Sequence, residues 1–220
     1  MIRLAEVDST NRYLKELTDA PFGTAVLADR QTAGYGQRGR SWTSEAGDGM
    51  YLSVLLPLPH PPTLLPLAAG LAALEAVLPY APEAGLKWVN DVVARGCKLG
   101  GVLVECAHGR AIVGVGLNLR TPAVEGAIGL AAFTSAVPAA EALAPAVIAG
   151  LERWTAIDPR MLLDAWRAHC VLLGLDVDVD GLRGVAEDVG PSGELLLRLA
   201  DGTRRAVVSG TVRRPDGSYY

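Results

Sequence analysis

The chain has 220 residues, half of them hydrophobic, with a formal net charge of −4 and a pI near 5.4. That length allows one large domain, or one plus a small module. The acidic balance argues against a dedicated nucleic-acid binder, whose footprint is broadly basic. Three cysteines, Cys97, Cys106 and Cys170, form no C-x-x-C pair. Their odd number suits a reducing compartment, and small buried hydrophobes are the expectation for them.

The opening Met-Ile-Arg-Leu-Ala-Glu-Val-Asp has no apolar h-region, so a secretory leader is not expected. Residues 49–74 carry no acidic or basic charge apart from His60, but Pro57, Pro59, Pro61, Pro62 and Pro66 interrupt them. A bilayer needs roughly 20 continuous apolar helical residues. A soluble, cytoplasmic protein with no membrane partner is expected.

In chain order, Ile2–Val7 alternates as a strand does. Asp8-Ser9-Thr10-Asn11 then offers four helix N-cap types, and Tyr13, Leu14 and Leu17 give the next helix an apolar face. Residues 24–29 read as a strand, and 50–56 as a central strand apolar on both faces. The alanine- and leucine-rich stretch 63–78 predicts a buried helix. Strands follow at 85–90, 92–93, 98–106 and 111–119, with turns at Gly96 and at His108-Gly109, so this part of the sheet is antiparallel. Two helices are predicted near 138–154 and 159–172. After Gly174 the texture changes to short runs at 177–179, 182–189, 195–199 and 204–208. Asp180-Gly181, Ser192-Gly193 and Asp201-Gly202 separate them, which suggests a small β-barrel.

Five stretches can carry chemistry. Residues 31–42, Gln-Thr-Ala-Gly-Tyr-Gly-Gln-Arg-Gly-Arg-Ser-Trp, place Gly34, Gly36 and Gly39 beside Arg38 and Arg40. Glycines let backbone approach a ligand, and arginines are forked permanent cations, so this loop suits closure over an anion. It is expected to be mobile until a ligand orders it. Asp8-Ser9-Thr10-Asn11 is accounted for by helix capping, and holding a small polar ligand is compatible with that. Lys87-Trp88-Val89-Asn90-Asp91 is either a strand with a polar turn or a group positioning phosphates or Mg²⁺ through oxygen ligands. Lys98-Leu99-Gly100-Gly101 puts a lysine among apolar neighbours, where a buried ammonium needs an anionic partner. Val113-Gly114-Val115-Gly116-Leu117-Asn118 lies within a strand and opens no helix, so it fails as a dinucleotide fingerprint; Gly114 and Gly116 would instead leave one sheet face bare as a ligand floor. No P-loop pattern is present, and His60, His108 and His169 are too dispersed for a His-rich metal site or a Ser–His triad. Glu105, Cys106 and His108 match no standard zinc spacing.

Taken in order, these five motifs resemble the signature of the biotin–protein ligases, over essentially the whole chain. The resemblance implies an α+β fold: a class II aminoacyl-tRNA-synthetase-like catalytic domain with a mixed, largely antiparallel sheet (residues 1–173), plus a small C-terminal SH3-like β-barrel (residues 174–220). It implies a two-step ligase. The biotin carboxylate attacks the α-phosphate of Mg-ATP, giving biotinyl-5′-AMP and pyrophosphate. A lysine of a biotin carboxyl carrier protein, that of acetyl-CoA carboxylase, then takes the biotinyl group.

By motif position, the biotin-binding residues are Ser9, Thr10, Asn11, Gln31, Gly34, Tyr35, Gly36, Gln37, Lys98, Gly114 and Gly116. The ATP-binding residues are Arg38, Arg40, Trp42, Lys87, Asn90, Asp91 and Asn118. Lys98, Arg38 and Arg40 are the catalytic cations, and Asp91 is the one candidate metal ligand. Trp42 and Trp88 wall the site or pack the core. Relatives often form homodimers, and some carry an N-terminal winged-helix domain; with the first motif at Asp8, no DNA partner is expected. Many relatives have arginine where this chain has Tyr35 and Gln37, so the loop loses a cation at Gln37 and is expected to leak more adenylate. Arg204, Arg205, Arg213 and Arg214 form either a solvated face or a contact for an acidic carrier or ATP. A lipoate–protein ligase and a non-enzymatic RNA-binding module are the competing readings; the acidic chain fits the second poorly.

Overall fold

The computed structural model describes residues 1–58, 61–107 and 109–219. Pro59, His60 and His108, with the turn and metal readings attached to them, lie outside the described residues. The first part of the chain runs β1 (Ile2–Val7), α1 (Thr10–Glu16), β2 (Ala25–Gln31), β3 (Gly49–Pro57), α2 (Leu65–Val77), β4 (Gly85–Lys87), β5 (Asp91–Ala94), β6 (Cys97–Ala107), β7 (Arg110–Asn118), α3 (Ala140–Ala156) and α4 (Pro159–His169). Its seven strands form one sheet in the order β1-β2-β3-β7-β6-β5-β4. The β1–β2 pair is parallel and the others are antiparallel, as short hairpins at Gly96 and Gly109 require. The predicted 85–90 strand stops at Lys87, and Asn90 lies in the turn that follows.

Strand alternation decides which side chains face which layer. Leu52 and Val54 of β3, with Val113, Val115 and Leu117 of β7, join the main core under α2 and α3. The opposite face carries Leu55 and Ile112 beneath Leu14 of α1. Further along, that face is Ser53, Gly114 and Gly116, the part of the sheet that faces the site. α2 is alanine- and leucine-rich because it has no wet side: eleven of its thirteen residues are buried. Ala72 and Gly150 let α2 and α3 approach closely, since a Cβ on Gly150 would lie 2.9 Å from that of Ala72. The uncharged stretch 49–74 is thus a buried strand, a 3₁₀ turn (Pro62–Leu64) and a buried helix. No described helix is long and apolar enough to cross a membrane.

The second part forms a five-stranded antiparallel sheet, β8 (Asp176–Val179), β9 (Leu182–Val189), β10 (Leu195–Arg198), β11 (Arg204–Val207) and β12 (Val212–Arg213), in the order β11-β10-β9-β8-β12. Asp180 and Gly181 both take positive φ (50° and 95°), as the tight β8–β9 hairpin demands. The expectation of buried cysteines needs correction. All three are free thiols; Cys97 and Cys170 are half-buried and Cys106 is exposed. Burial pushes the Cys170 thiol up to about 11.

Candidate active site

The start of α1, the 34–42 loop, the inner face of β6 and β7, and the 122–127 segment enclose a cleft of about 260 Å³. One end is lined by uncharged polar groups, with the Glu105–Lys15 ion pair behind them. Ser9 is the N-cap of α1 but its side chain makes no cap hydrogen bond. Thr10 and Asn11, both buried, turn inward instead. Capping therefore does not account for this motif.

Thr10 donates its backbone N–H (2.9 Å) and hydroxyl (3.1 Å) to Gln31 Oε1, and Gln31 Nε2 donates to Ser44 Oγ (2.9 Å). The Ser53 hydroxyl lies 2.7 Å from Thr10 Oγ1 and 2.6 Å from Asn11 Oδ1, with one proton to share. Asn11 Nδ2 donates to Glu105 Oε2 (2.9 Å), Tyr35 donates to the same oxygen (2.8 Å), and Lys15 reaches Oε1 at 2.5 Å. Burial alone would raise the Glu105 carboxyl, but donation from Lys15, Asn11 and Tyr35 outweighs it and holds the group below its usual range. Burial, then the Glu105 contact, pushes Tyr35 up to about 12, so it stays a donor.

The glycines have specific reasons. A Cβ on Gly34 would stand 2.9 Å from Gln31 Nε2 and 2.8 Å from Ser44 Oγ, so Gly34 acts from behind the cleft by letting these groups meet. The bare face expected above Gly114 and Gly116 is in part filled by protein: the Asn11 amide sits against Gly114, and a Cβ on Gly116 would lie 2.7 Å from the Trp42 indole. Both glycines still line the cleft.

The other end is charged. Lys98 lies over Gly101 and meets Asp91 Oδ1 at 2.5 Å, the anionic partner its surroundings demand. It also stands 5.4 Å from the Trp42 ring. Trp42 Nε1 is buried against Gly116 without a hydrogen-bond partner among the described residues. Lys87 is buried, with its ammonium 3.6 Å from the centre of the Tyr219 ring. Burial pushes it down to about 8, against the pull of Asp91. Asn90 and Asn118 line the cleft while their amides fix backbone, Asn90 to Val102 O (2.7 Å) and Asn118 to Lys98 O and Ile128 O.

The two loop arginines diverge. Arg40 lines the cleft and donates to Thr211 Oγ1 (2.9 Å), whereas Arg38 points away and pairs with Asp180 at 2.9 Å. Tyr35, Gly36 and Gln37 line the cleft beside Arg40. Trp88 takes the core role, buried, with its indole N–H on Gly193 O (2.9 Å).

Four features escaped the sequence reading: Ser53, Glu105 as a fixed acceptor, the 122–127 wall, and Tyr219. Ser53 had a signal, one polar residue inside an otherwise apolar strand. The wall had none; it is held by Lys98 N–H on Gly126 O and Ile128 N–H on Lys98 O. Among the described residues no cluster of three or more His, Cys, Asp or Glu could hold a metal ion.

Known proteins resemble this chain in sequence and in fold. The model of the Biotin/lipoate A/B protein ligase family matches residues 4–121, more than half of the chain. A biotin–[acetyl-CoA-carboxylase] ligase of Mycobacterium tuberculosis is 36% identical over 207 residues, covering 85% of this chain and 77% of that one. The biotin protein ligase of Aquifex aeolicus in complex with biotin and ATP superposes with a TM-score of 0.84 at 31% identity, covering 97% of this chain and 98% of that one. That of Leishmania major in complex with biotinyl-5-AMP gives 0.67 at 26% identity, covering 94% and 97%. The matched residues 4–121 contain all five motifs that converge on the cleft, and the chain belongs to the biotin/lipoate A/B protein ligase family.

Proposed function

We propose that this protein is an ATP-dependent biotin–protein ligase. The observation that carries the reading is one cleft with a fixed network of neutral donors and acceptors at one end and Lys98, Arg40 and Asp91 at the other. A ureido ring offers two N–H donors and one carbonyl acceptor, matching the polar end built from Ser9, Thr10, Asn11 and Gln31, with the Tyr35–Gln37 backbone closing over it. The biotin carboxylate then points towards Lys98.

In the first step a carboxylate oxygen bonds to the α-phosphorus of ATP and the bond to the bridging oxygen breaks, releasing pyrophosphate. Lys98 and Arg40 offset the repulsion of the two anions and stabilise charge growing on the phosphoryl oxygens. In the second, a lysine amine of a carrier domain attacks the acyl carbon, AMP leaves, and the amine loses a proton. Asp91 suits Mg²⁺, which takes one or two carboxylates and fills its shell with substrate phosphates; bound there, the ion would neutralise phosphate charge. Asn90, Asn118, Trp42 and Lys87 belong to the nucleotide side. Arg38 belongs to the loop's docking on the second sheet, with a barrel of residues 174–220 packed beside a catalytic unit of residues 1–173. A cytoplasmic homodimer acting on the carrier of acetyl-CoA carboxylase, without DNA binding, completes the reading.

Biotin-dependent ATP–pyrophosphate exchange tests it. The wild type should exchange with biotin and not with lipoate, and Lys98→Ala should lower the rate by about 10²–10³. A folded wild type that exchanges with neither acid, or only with lipoate, overturns the reading.

A further inference from the structure

The segment after β12 returns to the catalytic sheet. Arg214 N–H bonds Ser218 O (3.0 Å) and Gly217 N–H bonds Arg214 O (2.9 Å), closing a turn that Asp216 reinforces by accepting from Ser218. This turn delivers Tyr219 into the charged end of the cleft, which it lines. There its hydroxyl donates to Asp91 Oδ2, a residue 128 positions earlier, and its ring covers the Lys87 ammonium.

Resting on the ligase reading, we infer that Tyr219 is a tethered occupant of the ATP end of the cleft, which Mg-ATP displaces in order to engage Asp91 and Lys87. Three observations support competition over a permanent wall. The Tyr219 hydroxyl holds Asp91 Oδ2 and the Lys98 ammonium lies 2.5 Å from Oδ1, so a nucleotide-bound cation competes with them for this carboxylate. The ring lies on a cation that an incoming phosphate would seek. The connecting residues 215–218 are exposed and, apart from the exposed Arg213 guanidinium on Gly217 O (3.3 Å), bond within their own turn, so the segment can swing without opening the core.

Chemistry agrees with the geometry. Burial and the neighbouring Asp91 charge push the Tyr219 hydroxyl well above its ordinary value, keeping it a proton donor. Arg40 and Arg213 also face the cluster of Lys87, Asp91 and Lys98, so removing the tyrosine leaves a net positive pocket that suits a polyphosphate. A tether docked nine times in ten would weaken apparent nucleotide affinity about tenfold.

The test is calorimetric titration of the full chain with Mg²⁺ and α,β-methylene-ATP, whose P–CH₂–P bridge cannot break and so cannot transfer its adenylyl group. Tyr219→Ala should bind about tenfold tighter than wild type. Tyr219→Phe, which keeps the ring over Lys87 and loses the hydroxyl, should fall between them. Unchanged or weaker binding by Tyr219→Ala would make the tyrosine a spectator or part of the binding wall and overturn the inference. Exchange activity separates the two levels: if the wild type exchanges but Tyr219→Ala binds no tighter, the tether alone fails. If the folded wild type neither exchanges nor binds the analogue, the ligase reading fails and takes the tether with it.

Discussion

Glu105 touches the site from behind, yet it fixes which way two of its side chains point. Its Oε2 accepts from both Asn11 and Tyr35, so the Asn11 amide must present its oxygen to Ser53. In Glu105→Gln a neutral amide replaces this doubly engaged carboxylate, and leaving one part-buried donor unmet costs about 1–3 kcal/mol. The expected outcome is a biotin KM raised roughly tenfold, the equivalent of about 1.4 kcal/mol, with a smaller change in ATP KM; exchange rates at varied biotin and varied ATP measure both. The same substitution has a pH signature. Because the folded carboxyl lies below its ordinary value of 4.5, its contribution to stability is present above that value. It is lost as pH falls through the lower folded value. Thermal melts should therefore show wild type ahead of Glu105→Gln at pH 7, with the gap closing below pH 4.5. A constant gap would mean the carboxyl is not held down by its donors.

At the scale of elements, the 34–42 loop is a short hairpin. Gly36 N–H bonds Arg40 O (2.8 Å), Trp42 N–H bonds Gly34 O (2.9 Å), and Tyr35 bridges Ser41. Its tip reaches the second sheet through Arg38 to Asp180 and Arg40 to Thr211, and Asp180 also accepts from Thr211 N–H (3.1 Å). The glycine–arginine composition announced an anion-closing loop, but the pairing of Arg38 with the turn of another sheet spans 142 positions, beyond the reach of local pattern. The helix-start motif misled in a related way: Ser, Thr and Asn cap helices so often that their inward use becomes visible when Gln31, Ser53 and Glu105 are brought opposite them. Asp180→Ala frees Arg38 and one holder of Thr211. Trypsin should then cut after Arg38 severalfold faster than in wild type, and saturating biotin with ATP should restore protection in both. Equal cleavage rates without ligand would show that the sheet contact does not restrain the loop.

For the whole molecule, the backbone begins a second sheet at Asp176, after α3 and α4 of the first part, but the side chains do not respect that division. A single buried cluster runs from Leu64, Leu67 and Leu86 through Trp166 and Leu172 to Val177, Val189, Leu195 and Leu197. Gly193, in the β9–β10 turn, accepts from the Trp88 indole, and a Cβ there would lie 3.3 Å from side-chain atoms of Leu64 and Leu67. Arg167 of α4 adds charged donors to Asp188 (2.7 Å) and Val189 O (2.6 Å). Strand periodicity and turn residues reveal where a sheet divides; they carry no information about which apolar residues of the two parts meet. Since the apolar contacts that would let either part stand alone are shared, the two parts should unfold together. Far-UV dichroism, which follows both sheets, and the near-UV signal of Trp88 and Trp166, which sit at their junction, should melt at one temperature. Trp88→Phe keeps most of the apolar area but leaves the Gly193 carbonyl without its indole donor, so it should lower that common temperature without splitting the transition. Two separated transitions in the wild type would show that the shared cluster does not couple the sheets.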